Sequence, residues 1–252
     1  MKFVLSGLID KSISSGGFTG AIIYGAQRLG KSSYAAQVMY DIYKDWEVVN
    51  AHTLFELTDV VDLLYTAMKE RRRIPVINWD DAGVFGNKMR YFEDRSLVQY
   101  LQNLTDVVGL SLGCLLLTTP SPNNLLKALR GYEFYRCKIY PRDKYNGRTA
   151  VGYQSSLLPS GSRIIHRKFR DNYNVRLPDE FWKPYLVKRQ GYLDVAITNL
   201  QGIIGSGLSG GADGPADDKK SKREKYFPQP QPWEMPKRDA SRLKMEPVGG
   251  VL

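Results

Sequence analysis

Cysteine and histidine are scarce in this chain, with 2 of each in 252 residues. Cys114 and Cys137 are too few for a disulfide framework, and Cys114 lies within an apolar run, where a reduced, packed thiol is the default. His52 and His166 stand apart from any second ligand, so the pattern contains no histidine or cysteine metal centre. No run approaches the ~20 apolar residues of a membrane span. Met1 to Ile9 is apolar but short, contains Lys2 and lacks a cleavage pattern; it reads as a strand or a docking segment rather than a signal peptide. These absences predict a soluble, intracellular protein without a membrane partner, built on one core of about 200 residues.

What is present begins with Gly25-Ala26-Gln27-Arg28-Leu29-Gly30-Lys31-Ser32, a complete G-x-x-x-x-G-K-[ST] sequence. Thr19 to Tyr24 before it is an apolar run of strand length, and Ser33 to Lys44 after it has helical spacing, so the loop is expected between a strand and a helix. Glycines at 25 and 30 allow the backbone to curl its N–H groups toward phosphates, in line with the positive end of the helix. Lys31 is the point charge for the β and γ phosphates and the Ser32 hydroxyl a ligand for Mg²⁺. Gly25 to Ser32, with Ser33 following, is the expected nucleotide-binding segment, and ATP with Mg²⁺ its expected occupant.

Some fifty residues on, Ile74-Pro75-Val76-Ile77-Asn78-Trp79-Asp80-Asp81 ends an apolar run in two acids, the Walker B pattern of a buried parallel strand. Asp80 is expected to hold the metal. Asp81 either orients or deprotonates the attacking water, or caps the Ala82-Gly83 turn. Leu112 to Thr118 forms a further buried strand, expected between the acid strand and the loop strand. Its tip then offers Thr118, with Thr119 as second choice, as a sensor of the γ phosphate. Arg130, or alternatively Arg136, is placed to act in trans on a neighbour's nucleotide in a homo-oligomer.

Elsewhere the pattern predicts a strand at Trp46 to Val49 and helices over Asp59 to Arg71 and Glu93 to Val107. A short helix runs through Leu125 and Leu129, followed by a fifth strand from Phe134 to Tyr140. Such alternation implies an α/β fold with a parallel sheet flanked by helices. Acids then become rare. Gly131 to Arg176 carries 10 Lys and Arg against 3 Asp and Glu, a net +7 of the chain's +10. Tyrosines interleave with these charges, and Asn146-Gly147 and Ser160-Gly161-Ser162 mark turns, which predicts antiparallel β hairpins appended to the sheet. Arg142, Lys144, Arg148, Arg163, Arg167, Lys168 and Arg170 are the expected DNA contacts. A helix with acids in its first turn starts at Leu177 to Trp182 and runs, with a break near Gly191, to about Leu200. Residues 205–252, rich in Gly, Pro and charge, read as a disordered tail with a docking motif around Tyr226 to Trp233. The expected organisation is a core at 1–140, a hairpin and helical extension at 141–204 and the tail.

The flanks of these motifs, Ile22 to Tyr34, Asn78 to Gly83 and Leu116 to Pro122, resemble the DnaA-like P-loop ATPases of archaeal spindle-shaped viruses (fuselloviruses) and related crenarchaeal plasmids. The resemblance spans roughly residues 3 to 200. It implies a P-loop (ASCE/AAA+-like) ATPase serving replication of a viral or plasmid genome in the host cytoplasm, with the tail available to host replication proteins. An AAA+ initiator would carry a helical lid with a sensor arginine after the fifth strand, where residues 141–176 read as hairpins. The alternatives are a HerA/FtsK-like DNA translocase or packaging motor, and a nucleotide-gated scaffold that recruits host replication proteins.

Overall fold

Short apolar runs and longer segments that alternate apolar with polar residues pair into a seven-stranded sheet in the order β2-β3-β4-β1-β5-β6-β7. The computed structural model describes residues 2–82, 108–125, 129–130, 132–143, 145–160 and 162–208. The strands are β1 (Thr19–Tyr24), β2 (Thr53–Leu54), β3 (Ile74–Trp79), β4 (Leu112–Thr119), β5 (Tyr135–Pro141), β6 (Gly147–Leu157) and β7 (Arg163–Asn174). The helices are α1 (Val4–Ser14), α2 (Lys31–Tyr43), α3 (Trp46–Ala51), α4 (Leu57–Lys69) and α5 (Asp179–Leu208). Pairing is parallel from β2 through β5 and antiparallel for β5-β6 and β6-β7. The fold is therefore α/β with a mixed sheet, and β4 lies between β3 and β1, the order usual in P-loop ATPases from which it was expected. The helix expected over Glu93 to Val107 lies outside the described residues.

The central strands are apolar on both faces, as a sheet covered on both sides requires. On one face Ala21, Ile23, Val76, Cys114, Leu116 and Cys137 pack against α1, α2, α3 and the start of α5. On the other, Ile22, Ile77, Trp79, Leu115 and Leu117 pack with Val60, Leu64 and Ala67 of α4. Both cysteines are buried free thiols. Residues on β5 to β7 change the pattern: Cys137, Ile139, Ala150, Phe169 and Tyr173 continue the first core, while the alternate positions are polar or charged.

Three expectations are corrected. Trp46 to Val49 is helical, because the Asp45 side chain accepts from the Glu47 and Val48 amides and starts a turn that the β-branched pair does not prevent. Trp46 then stacks on Tyr40 with ring centroids 4.2 Å apart, and the edge strand is Thr53–Leu54 instead. The N-terminal segment is a helix, not a strand, although it does dock. The break near Gly191 is absent: α5 continues through it, with open space around that glycine. That helix reaches Leu208, past residue 205, where the tail was expected to begin. The chain divides into two compact units, Met1–Leu200 and Gln201–Leu252; of the second the described part, Gln201–Leu208, is the end of α5.

Docking of α1 depends on one buried acid. Asp171 of β7 accepts from the Val4 amide at 2.9 Å, the Leu5 amide at 3.2 Å and the Tyr34 hydroxyl at 2.7 Å. It satisfies orphan donors at the α1 N-terminus, complements the helix dipole and ties α1 and α2 to the hairpin. Asp171→Ala is expected to destabilise the protein by about 3 kcal/mol, and Tyr34→Phe by about 1 kcal/mol. Urea unfolding measures both, and equal small losses would mean that α1 is held by its apolar contacts alone.

Candidate functional site

The glycine-rich segment leaves β1 at Tyr24 and enters α2 at Lys31, in the strand, loop and helix order its sequence predicted. Arg28 at φ +60° and Gly30 at φ +85° make the turn. Gly30 is required on two counts. Its left-handed φ strains any side chain, and a Cβ there would lie 2.4 Å from Val175 Cγ1. Its carbonyl also accepts from the Tyr173 hydroxyl at 2.9 Å, so β7 fixes the loop's last residue. Lys31 is buried, with Nζ donating to the Gly25 and Ala26 carbonyls at 3.2 and 3.0 Å. Burial lowers its pKa, and the Asp81 and Asp80 charges oppose that shift. Leu29 packs on the first core, and Ser33 is buried in the first turn of α2.

Asp80, fully buried at the end of β3, gathers the other groups. Its Oδ1 accepts from the Ser32 hydroxyl at 2.9 Å and from the Thr118 hydroxyl, and its Oδ2 accepts from the Tyr185 hydroxyl at 2.6 Å. Thr118 in turn accepts from the Asp81 amide at 2.8 Å. Between the two threonines left open by the sequence, Thr118 adjoins the acids, whereas Thr119 donates to the Ser121 carbonyl. Asp81 sits at φ +50°, and its Oδ2 lies 2.9 Å from Arg189. Burial and then the neighbouring Asp80 push the Asp81 carboxyl upward, while Arg189 and Lys31 pull it back.

Tyr185 and Arg189 are the two groups at this site that the sequence reading missed. They lie one turn apart on α5, and a helix presents residues four apart on one face. That spacing was the available signal; what it faced, 105 and 108 positions back in the chain, was not legible. Burial, and then Asp80, raise the Tyr185 pKa, so its hydroxyl stays a donor.

The donor set fits a magnesium nucleotide. Ser32 Oγ and the Asp80 carboxylate are hard oxygen ligands already in contact, and a buried ammonium stands beside them inside the glycine-rich loop. The two candidate trans arginines have partners in their own chain: Arg130 donates to Asn123 Oδ1 at 3.1 Å and Arg136 to the Arg130 carbonyl at 3.3 Å. The expected DNA contacts divide. Arg142, Arg167 and Arg170 line one concavity. Arg148 instead donates to the Tyr145 and Gly147 carbonyls of the β5-β6 turn. Lys168 is the residue passed over at a bulge in β7. Arg163 begins β7, and Lys144 and the tail motif lie outside the described residues.

This is an α/β protein whose glycine-rich loop and acid pair converge at one end of the parallel strands. No protein-family model matches the chain. It is similar to two viral proteins. One, named only as uncharacterized protein B-251 of Sulfolobus spindle-shape virus 1, is 27% identical over 209 residues, covering 75% of this chain and 81% of the relative. The other, uncharacterized protein ORF286 of Acidianus two-tailed virus, is 29% identical over 182 residues, covering 70% and 63%. Among the described residues no helix is long and apolar enough to cross a membrane.

A carboxyl whose folded pKa lies above its unfolded one contributes stability below the unfolded pKa, and loses that contribution as pH rises through the folded value. Ionised Asp81 therefore carries a cost at pH 7, to which its left-handed backbone adds. Asn has no charge and tolerates that backbone. Asp81→Asn is expected to unfold at a higher temperature than the wild type at pH 7, the gap closing as pH falls through the Asp81 range. A lower midpoint at pH 7 would mean that the Arg189 pair outweighs the burial.

Proposed function

We propose that this chain is an Mg-ATP-binding and hydrolysing, DNA-associated ATPase of the P-loop class (ASCE/AAA+-like) that serves replication of a viral or plasmid genome. The observation that carries the reading is the contact of Ser32 on α2 with Asp80 on β3, across a sheet in which β4 and Thr118 intervene. Similarity to proteins of two archaeal viruses supports the viral setting.

Each residue has a role that its position supports. Backbone amides from Gly25 to Ser33 cradle the phosphates, and Lys31 leaves the Gly25 and Ala26 carbonyls to neutralise them. Ser32 and Asp80 would hold the metal, which would supply neutralisation of phosphate charge. Asp81, with its raised pKa, accepts a proton from the attacking water or orients it. Thr118 fixes Asp80 and Asp81 relative to each other. Arg189 stabilises charge on the transferred phosphoryl group from within the same chain, the task for which Arg130 and Arg136 were candidates in trans.

The extension of the sheet beyond β5 by two antiparallel strands favours a second reading, a HerA/FtsK-like DNA translocase or packaging motor. Processive hydrolysis stimulated by duplex DNA supports it; ATP-dependent binding to one origin-like sequence supports an initiator. Nucleotide binding without turnover under any condition would leave the scaffold, recruiting host replication proteins.

Lys31→Ala is expected to weaken ATP binding by about 30-fold or more in calorimetric titration, as loss of a buried charged partner costs about 2–5 kcal/mol. Unchanged tight binding would sink the assignment of the loop. Asp81→Asn should lower kcat by about 10²- to 10⁴-fold. Arg189→Ala should lower kcat by about 10²- to 10³-fold while leaving ATP affinity within about threefold of the wild type. Equal losses in kcat/KM and affinity with kcat retained would make Arg189 a binding residue only.

A further inference from the structure

The outward face of the hairpins forms a trough that the site above does not use. Register sets its rows. Arg136 of β5 pairs with Tyr153 of β6, which pairs with Arg167 of β7; Lys138 pairs with Val151, which pairs with Arg170. In both rows cationic side chains come from the two outer strands and an apolar one from the middle strand. The cationic side chains of β5 and β7 are thus two inter-strand spacings apart, roughly 10 Å; of these Arg167 and Arg170 line the concavity, joined by Arg142 just beyond β5, while Arg136 is held by the Arg130 carbonyl. Tyr140 closes one end beside Arg142, with Lys138 Nζ 5.0 Å from its ring centroid, and the concavity measures about 350 Å³.

A regular strand would not build this. Arg167 and Arg170 are three apart and would point to opposite faces. The bulge that passes over Lys168, between the Gly152-Phe169 and Tyr153-Arg167 pairs, restores both arginines to the same face. Gly152 makes room beneath it, since a Cβ there would lie 2.1 Å from the Phe169 ring. The row of Lys138 also continues into Tyr24 of β1, the residue immediately before Gly25. The same row of the sheet therefore runs on toward the glycine-rich loop.

We propose that this trough binds single-stranded DNA, with bases stacked on Tyr140 and Tyr153 and phosphates along Arg142, Arg167 and Arg170. The proposal rests on the DNA-associated reading above and names the form of DNA. In a duplex the base faces are occupied by their neighbours, so tyrosines on the floor would have nothing to stack on. A single strand offers both exposed bases and a backbone that fits between these cationic side chains.

The test is fluorescence anisotropy of the full chain with a fluorescein-labelled oligo(dT) of roughly 15 nucleotides, a duplex of the same length and an abasic strand, each across a salt series. Oligo(dT) is expected to bind about tenfold or more tighter than either the duplex or the abasic strand. Tyr140→Leu and Tyr153→Leu should each weaken oligo(dT) binding by about 5- to 100-fold, while the Phe variants bind like the wild type. Arg167→Gln and Arg170→Gln should each reduce the salt slope by about 0.7. Equal binding of the abasic strand, or a duplex bound as tightly as oligo(dT), overturns the single-strand proposal and leaves DNA association standing. No binding of any DNA form overturns both.

Discussion

The buried carboxylate of Asp80 is the constraint around which the molecule is arranged. Removing a carboxylate from water costs several kcal/mol unless its lone pairs are met. Here hydroxyl donors arrive from α2, β4 and α5, through Ser32, Thr118 and Tyr185. None of these donors adjoins Asp80 in sequence, so meeting them requires the strand order, the direction of α2 and the return of α5 all at once. The sheet topology is thus tied to the chemistry of one side chain. Moving β4 away from its place between β3 and β1 would strand the acid.

Next to this well-met group sits a poorly met one. Asp81 combines a left-handed backbone, a carboxyl pushed upward by burial and by Asp80, and a half-exposed arginine as its charged partner. Strain and unfavourable electrostatics at one residue, held by rigid surroundings, are what a reactive group needs and what a structural one avoids. Neighbours 80 and 81 thus set a well-met and a poorly met carboxyl side by side at a single strand end.

What could be read in advance was local. The glycine-rich loop, the acid pair, the buried strand ending at Thr118 and the hairpins announced themselves because spacing and turn residues act over a few positions. Trp46 to Val49 was misread because β-branched residues were weighed above the capping aspartate that precedes them, although Asp45 was there to be seen. The α5 contacts were hidden for a different reason. Tyr185 and Arg189 acquire meaning only when the helix is laid against an acid pair a hundred residues earlier. Bulges escape alternation rules altogether: counting by twos places Arg167 and Arg170 on opposite faces, and only the pairing of β6 with β7 reveals that they share one.

The hydrogen bond from Tyr173 to the Gly30 carbonyl joins residues 143 positions apart, and the Asp171 contacts with Val4 and Leu5 span 167 and 166. Contacts of such separation make for slow folding, because loop closure must precede any gain from them. During synthesis the glycine-rich loop and α1 leave the ribosome long before β7 exists to shape the one and anchor the other. The glycine-rich segment is thus among the first made and among the last to take its final form, so a partly made chain does not present it in its finished geometry.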